Sequence, residues 1–126
     1  MSVLALIALG ATVPLMAGSA AASSVTTVKS TVTITSGEGT QFTGKVSAAK
    51  KKCRAGRTVK LYSEAGSTGR MGDPLAGTAK TNATGAWTMD GSFLSAVYYA
   101  QVAAVLVHIN GAPYRCAGDL SIAMHY

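Results

Sequence analysis

The chain has 126 residues, with 11 Lys and Arg against 5 Asp and Glu, which gives a formal charge of +6 at pH 7. This length excludes a two-domain enzyme and a large (β/α) barrel, and it allows one domain of ordinary size. Hydrophobic residues make up 48% of the sequence and charged residues only 13%, so the composition also excludes a disordered tail.

The first segment of the chain has the pattern of a signal peptide. Residues 1–28 contain no charged side chain, and an apolar run extends from Val3 to Met16. Small residues follow, and Ala20-Ala21-Ala22 matches an A-x-A cleavage site before Ser23. The run is too short for a spanning helix, which needs roughly 20 apolar residues. We therefore predict a signal peptide over 1–22, a single domain over 23–126 and no membrane span after cleavage. A buried N-terminal helix or strand is the alternative.

The rest of the chain predicts strands, because apolar and polar residues alternate between turn signals. The predicted strands are Thr31–Thr35, Gln41–Ser47, Thr58–Ser63, Leu75–Thr81, Ala86–Asp90, Val97–Ile109 and Tyr114–Met124. The segment Asn82–Gly85 predicts a hairpin between the fourth and fifth strands. Asn110-Gly111 predicts a second hairpin, because both residues tolerate positive φ. A basic loop runs from Ala48 to Gly56, and a Gly-rich loop runs from Ala65 to Asp73.

Four motifs in these strands resemble a known family. They are Phe42–Val46, Gly56–Tyr62, Gly77–Trp87 and Tyr98–Val102. Together they resemble the transthyretin-like (prealbumin-like) β-sandwich of carboxypeptidase regulatory-like and collagen-adhesin B-type modules. More narrowly, they are similar to small exported domains of high-GC bacteria. The resemblance implies an all-β, Ig-like antiparallel sandwich of about seven strands, in which Gly85 permits a tight turn and Trp87 enters the core.

Two cysteines and two histidines are the candidates for covalent or metal chemistry. In an exported protein, Cys53 and Cys116 most simply form one disulfide, for which the chain-entropy estimate is about 4 kcal/mol. Free buried thiols and a metal role are the alternatives. His108 and His125 would complete the ligand count of a zinc site, but their spacing matches no metal motif. We expect no metal and no cofactor.

The chain lacks the residue patterns on which hydrolases depend. It contains no G-x-S-x-G elbow, and its five acidic residues are scattered, mostly near loops. We therefore expect no enzymatic activity. The alternative is a small secreted enzyme or metal-binding protein that uses His108 and His125.

Basic residues are concentrated between Lys45 and Lys60, where seven of the 11 lie within 16 positions. The anion-binding candidates among them are Lys50, Lys51, Lys52, Arg54 and Arg57. The cluster predicts either a solvated loop that blunts a strand edge or a patch that binds an anionic polymer of the cell envelope. Nucleic acid is not expected as a partner, since no aromatic residue interleaves with the cluster as a stacking platform.

Two further features concern exposed surface. Tyr98 and Tyr99 point to opposite faces of their strand, so we expect one in the core and the other exposed. The apolar segment Ala103–Ile109 would be an association site if it were exposed. Taken together, these patterns predict a secreted or cell-surface module that acts as a binding or structural domain. Its expected partner is an anionic envelope polymer or another surface protein.

Overall fold

The computed structural model describes residues 24–64 and 72–126, which are built from strands. These residues form eleven strands and a single-turn 3₁₀ helix at Lys51–Cys53, and they contain no α-helix. The strands are β1 (Thr26–Val28), β2 (Ser30–Glu38), β3 (Gln41–Ala48), β4 (Thr58–Ser63), β5 (Leu75–Lys80), β6 (Ala86–Asp90), β7 (Val97–Val102), β8 (Val105–Ile109), β9 (Ala112–Cys116), β10 (Asp119–Leu120) and β11 (Met124–His125). The predicted all-β class is confirmed. The predicted signal peptide, and the Gly-rich loop except for Gly72 and Asp73, lie outside the described residues.

Two antiparallel sheets enclose the main core. One has the strand order β2-β3-β6, and the other has the order β10-β7-β4-β5, in which β11 also pairs with β7. The first sheet contributes the buried side chains of Val32, Phe42, Val46, Trp87 and Met89. The second contributes those of Val59, Leu61, Tyr98, Ala100 and Val102. Because both sets belong to one cluster, the two sheets pack face to face in the manner of a β-sandwich.

A third, smaller sheet has the order β8-β9-β1, and we call it the small sheet. β8 and β9 form the hairpin predicted at Asn110-Gly111, where φ is +52° and +82°. β1 was not predicted, and it pairs with β9 in parallel. The small sheet packs through Val28 and Cys116 against Cys53, which follows the end of β3.

Local pattern accounts for the strands whose bounds match the prediction. In β3 the alternating residues Phe42, Gly44 and Val46 are buried, and in β4 the same holds for Val59 and Leu61. β4 and β6 have the predicted bounds. These strands lie within the sandwich and present one face to its core, which is the arrangement that strict alternation encodes.

The predicted hairpin at Asn82–Gly85 is wrong, because β5 and β6 belong to different sheets. β5 pairs with β4, and β6 pairs with β3. The turn itself is tight: Oδ1 of Asn82 accepts hydrogen bonds from the backbone N–H groups of Thr84 and Ala86. Gly85 has φ +94°, and the N–H of Val46 donates to its carbonyl. The turn therefore connects the two sheets of the sandwich instead of closing a two-stranded ribbon.

The last two predicted strands are each divided, so the estimate of about seven strands is too low. The segment Val97–Ile109 separates at Ala103 into β7 in the sandwich and β8 in the small sheet. The segment Tyr114–Met124 separates into β9, β10 and β11, of which only β9 belongs to the small sheet. Apolar character continues across both breaks, and hydropathy alone does not mark where a chain changes sheets.

Tyr98 and Tyr99 are both buried, and the prediction that one of them is exposed is wrong. Tyr98 faces the core and packs edge-to-face on Phe42, with 5.0 Å between the ring centroids. Tyr99 points to the other face, where it stacks on Tyr62 at 5.4 Å and its hydroxyl donates to Asp73 at 2.7 Å. A neighbouring strand residue, Tyr62, and a loop residue, Asp73, thus bury a side chain on the face that the alternation assigned to solvent.

We predict that Gly44→Ala destabilises the protein. An added Cβ would overlap the carbonyl oxygen of Thr33 and the ring of Trp87. We expect the free energy of unfolding to fall by about 3 kcal/mol, because overpacking against backbone cannot relax by a rotamer change. Urea denaturation measures this difference. Gly39→Ala is the matched control, since the nearest atom to its added Cβ is 3.7 Å away. Equal stability of the two variants would contradict the close approach at Gly44.

Candidate functional site

The basic loop is anchored at its centre by a disulfide. The backbone turns after β3 through hydrogen bonds from the N–H of Cys53 to the carbonyl of Lys50, at 2.9 Å, and from the N–H of Arg54 to the carbonyl of Lys51, at 3.0 Å. Cys53 is bonded to Cys116 at the end of β9, with 5.4 Å between the Cα atoms, and both residues are fully buried. The predicted disulfide is confirmed. It fixes the lysine-rich turn to the small sheet.

Arg57 is the second anchor of this region, and its side chain lies in the interior with only 3% exposed. One terminal nitrogen donates to the carbonyl of Cys53 at 2.6 Å and to Oγ of Ser30 at 3.0 Å. The other donates to the carbonyls of Ala103 at 2.8 Å and Ala117 at 3.1 Å. The four N–H groups of the fork therefore bind acceptors on four separate segments of the chain.

The described partners of Arg57 are all uncharged, so its positive charge is buried without a counter-ion among them. Desolvation lowers the pKa of Arg57 from its ordinary value, although an arginine keeps its proton at any physiological pH. Because all four terminal N–H groups are used within the chain, Arg57 is less available to an external anion than the exposed lysines of the candidate set. These contacts give its side chain a structural role.

The three lysines of the candidate set remain on the surface. The ammonium of Lys50 lies 5.8 Å from the ring centroid of Tyr114, a cation–π contact with β9. The ammonium of Lys52 donates to the carbonyl of His108 at 2.7 Å, which covers part of the edge of β8. Lys51 is exposed. The loop therefore both protects a strand edge and presents positive charge to solvent.

Arg54 is half-buried, and its Nε lies in the interior without a hydrogen-bond partner among the described residues. Its Cβ comes close to Gly85 in the turn that connects the sheets, since a Cβ added at Gly85 would lie 3.3 Å from it. Arg54 therefore packs against this turn and is less accessible to a ligand than the three lysines.

Charge is separated along the long axis of the sandwich. Four of the five acidic residues lie at the end farther from the basic loop, where β2, β4 and β6 finish: Glu38, Glu64, Asp73 and Asp90. The fifth, Asp119, accepts a hydrogen bond from the backbone N–H of Val32 at 2.9 Å. Exposed basic residues occupy the other end and the small sheet beside it, and we call this the basic end: Lys29, Lys50, Lys51, Lys52, Lys80 and Arg115.

The two histidines are not brought together. His108 lies on β8 in the small sheet, and His125 lies on β11, where it pairs with Val97. Both are exposed, and both cysteines are in the disulfide. The described residues contain no group of three or more His, Cys, Asp or Glu side chains that could hold a metal ion.

A cleft that no sequence pattern predicted lies between the small sheet and the end of the sandwich. Its cavity measures about 350 Å³. Lys52 and Lys80 lie on it, Val105 and Val107 supply apolar surface, and Arg57 is part of its wall. These residues come from three distant parts of the sequence. Only the apolar character of Val105–Val107 could have drawn attention to one side of the cleft.

Comparison with known proteins assigns no family to this architecture. No protein-family model matches the chain, and no curated protein matches it. In the described ranges, no helix is long and apolar enough to cross a membrane.

We predict that Arg57→Lys destabilises the protein although it keeps the charge. An ammonium has three N–H donors and no planar fork, so it leaves at least one of the four acceptors of Arg57 unpaired. An unsatisfied buried acceptor costs about 1–3 kcal/mol, and we expect a loss of roughly 2 kcal/mol in the free energy of unfolding. Arg115→Lys, on the exposed face of β9, is the control and should change stability by less than about 0.5 kcal/mol. The same small change in both variants would refute the structural role of Arg57.

Proposed function

We propose that the protein is an exported, non-enzymatic β-sandwich module of the transthyretin-like type that binds an anionic polymer of the cell envelope through its basic end. One observation carries the proposal: Lys50, Lys51 and Lys52 are held together in solvent by a buried disulfide and a buried arginine. Rigid display of like charges raises the positive potential at one place on the surface.

The separation of charge supports the same proposal. Most of the acidic residues lie at the far end, so they do not neutralise the basic end at short range. Exposed charges farther apart than the Debye length, about 8 Å at physiological ionic strength, are largely screened from each other. An approaching polyanion therefore meets the lysines without competition from nearby carboxylates, apart from Asp119, which is engaged by Val32.

The disulfide also supports export. Structural disulfides persist in oxidising compartments and are rare in the cytosol of mesophiles. The ring that Cys53 and Cys116 close spans 63 positions. Closing a ring of that length stabilises the folded state by about 4 kcal/mol in the chain-entropy estimate. Export would place the module where anionic envelope polymers, or other surface proteins, are its first contacts.

The transthyretin-like type rests on four short motifs, and the positions of their residues support it. Gly44, Leu61, Trp87 and Ala100 lie on strands that face one core. Gly85 occupies the positive-φ position in the turn before Trp87. These positions agree with the role that each motif has in such modules, which is to supply a core strand or the turn that precedes it.

The charge-reversed variant Lys50→Glu/Lys51→Glu tests the function. We expect the purified protein to co-sediment with anionic cell-wall material at low salt and to be released as salt rises, because each lysine contributes about 1 kcal/mol near a charged surface. The variant should lose this binding. The variant loses the contact of Lys50 with the ring of Tyr114 but keeps the disulfide and the Lys52 hydrogen bond, so we expect the loop to keep its shape.

The matched control is Lys45→Glu/Lys60→Glu, which makes the same change in net charge. Both lysines are exposed on strands of the sandwich and lie outside the 3₁₀ turn. This control should bind nearly as well as the wild type. Equal loss in both variants would show that net charge alone matters, and absence of binding at low salt would overturn the proposal.

A further inference from the structure

The cleft between the small sheet and the sandwich is lined by both charged and apolar residues. Lys52 and Lys80 are the charged residues exposed along it, and Ala103, Ala104, Val105 and Val107 supply apolar surface. Its volume of about 350 Å³ is at the lower limit of small-molecule sites, which span roughly 300–1,000 Å³. The cleft therefore has room for a small ligand and for both kinds of contact.

The position of Lys52 is fixed, while its ammonium still has free donors. One of its three N–H groups donates to the carbonyl of His108, which leaves two for a ligand. Lys80 comes from the end of β5, on the sandwich side of the cleft. One lysine from the 3₁₀ turn and one from a sandwich strand thus line the same cleft, where an anionic group can contact both.

Arg57 adds a third positive charge in the wall of the same cleft. Its terminal N–H groups are bound to uncharged acceptors, so these groups act on a ligand only through the electric potential of the charge they carry. A buried charge is screened by salt much less than an exposed one. The wall is therefore electropositive even where no donor is free.

The apolar side chains that line the cleft are more exposed to solvent than the side chains of the protein's core. Val105 is 40% exposed, although its strand neighbour Val107 packs against the disulfide cluster. Gly56 lies on the cleft as well, and an added Cβ there would meet no atom within 4 Å. Open space beside valine side chains is suited to a short hydrocarbon group, whose burial there is favourable.

We propose that this cleft binds a small amphiphilic anion, with its phosphate or carboxylate group between Lys52 and Lys80 and its short apolar chain on Val105 and Val107. This site overlaps the polymer contact proposed above, since it includes Lys52, Ala55 and Gly56 of the basic loop and Lys80 of the basic end. It does not include Lys50 or Lys51, and its occupancy does not require that the protein bind a polymer.

Three probes of matched chemistry test the site, measured by titration calorimetry on the purified full chain with its disulfide intact. Octyl phosphate, below its micelle concentration, carries both the anion and the chain. Inorganic phosphate carries the anion alone, and octyl glucoside carries the chain alone. We expect octyl phosphate to bind at least about tenfold more tightly than either of the others, since only it can contact both the lysines and the valines of the cleft.

Two variants assign the binding to the cleft. Lys80→Gln should weaken octyl phosphate about fivefold, which corresponds to the loss of one charge contact. Lys60→Gln removes the same charge from the outer face of β4 and should leave binding unchanged. Val105→Thr/Val107→Thr keeps the side-chain shape and should reduce the preference for octyl phosphate over inorganic phosphate. If that double variant does not fold, the comparison of Lys80→Gln with Lys60→Gln still tests whether octyl phosphate binds in the cleft.

Failure of this site and failure of the polymer contact give different results. Octyl phosphate that binds no more tightly than inorganic phosphate, or octyl glucoside that binds as well, would overturn the proposal. Equal binding by the Lys80→Gln variant and the wild type would do the same. Lys50→Glu/Lys51→Glu should abolish the polymer contact and keep the preference for octyl phosphate. Loss of that preference in this variant would assign the anion to the loop and overturn the cleft.

Discussion

The architecture of the basic end depends on one buried guanidinium. Arg57 binds Ser30 at the start of β2, the carbonyl of Cys53 in the basic loop, and carbonyls that follow β7 and β9. Burying a charge is costly unless it is fully hydrogen-bonded, and charge-assisted hydrogen bonds are about twice as strong as neutral ones. Four such bonds offset the desolvation only when all four chain segments are in place. The side chain therefore couples the closure of the sandwich to the docking of the small sheet.

The disulfide and Arg57 hold the same corner by different physical means. The covalent bond joins Cys53 to β9, while the guanidinium binds the carbonyl of Cys53 and those of Ala103 and Ala117, which precede β8 and follow β9. A crosslink lowers the entropy of the unfolded chain, whereas the hydrogen bonds act on the folded state. The disulfide and the hydrogen bonds of Arg57 therefore stabilise the same loop through different states of the chain. Together they define both the lysine-rich turn and the cleft beside it.

Local rules in the sequence predicted the strands that stay within one sheet, and they failed where the chain changes sheets. Alternation located β4 and β6, and the tolerance of positive φ located the Asn110-Gly111 hairpin. The turn at Asn82 has the same local chemistry whether it closes a hairpin or crosses between sheets, so its role depends on which strand β6 pairs with. At the break, the carbonyl of Ala103 likewise has a partner that is distant in sequence, the guanidinium of Arg57. Charge counting found the lysines, but it could not separate them from Arg57, because burial is a tertiary property.

Basic residues that are neighbours in sequence therefore act through different electrostatics. Lys50 and Lys51 are exposed, and their attraction for a polyanion declines steeply with ionic strength. Arg57 is buried in a medium of lower dielectric constant, where water and salt screen its charge less. Because Arg57 lines the cleft, its positive charge raises the electric potential there. A flexible polymer contacts the first group along its length. A small anion in the cleft would contact the exposed Lys52 and Lys80 as well, and Arg57 adds a potential there that salt screens less. The two proposed contacts therefore differ in how much of their attraction salt can screen.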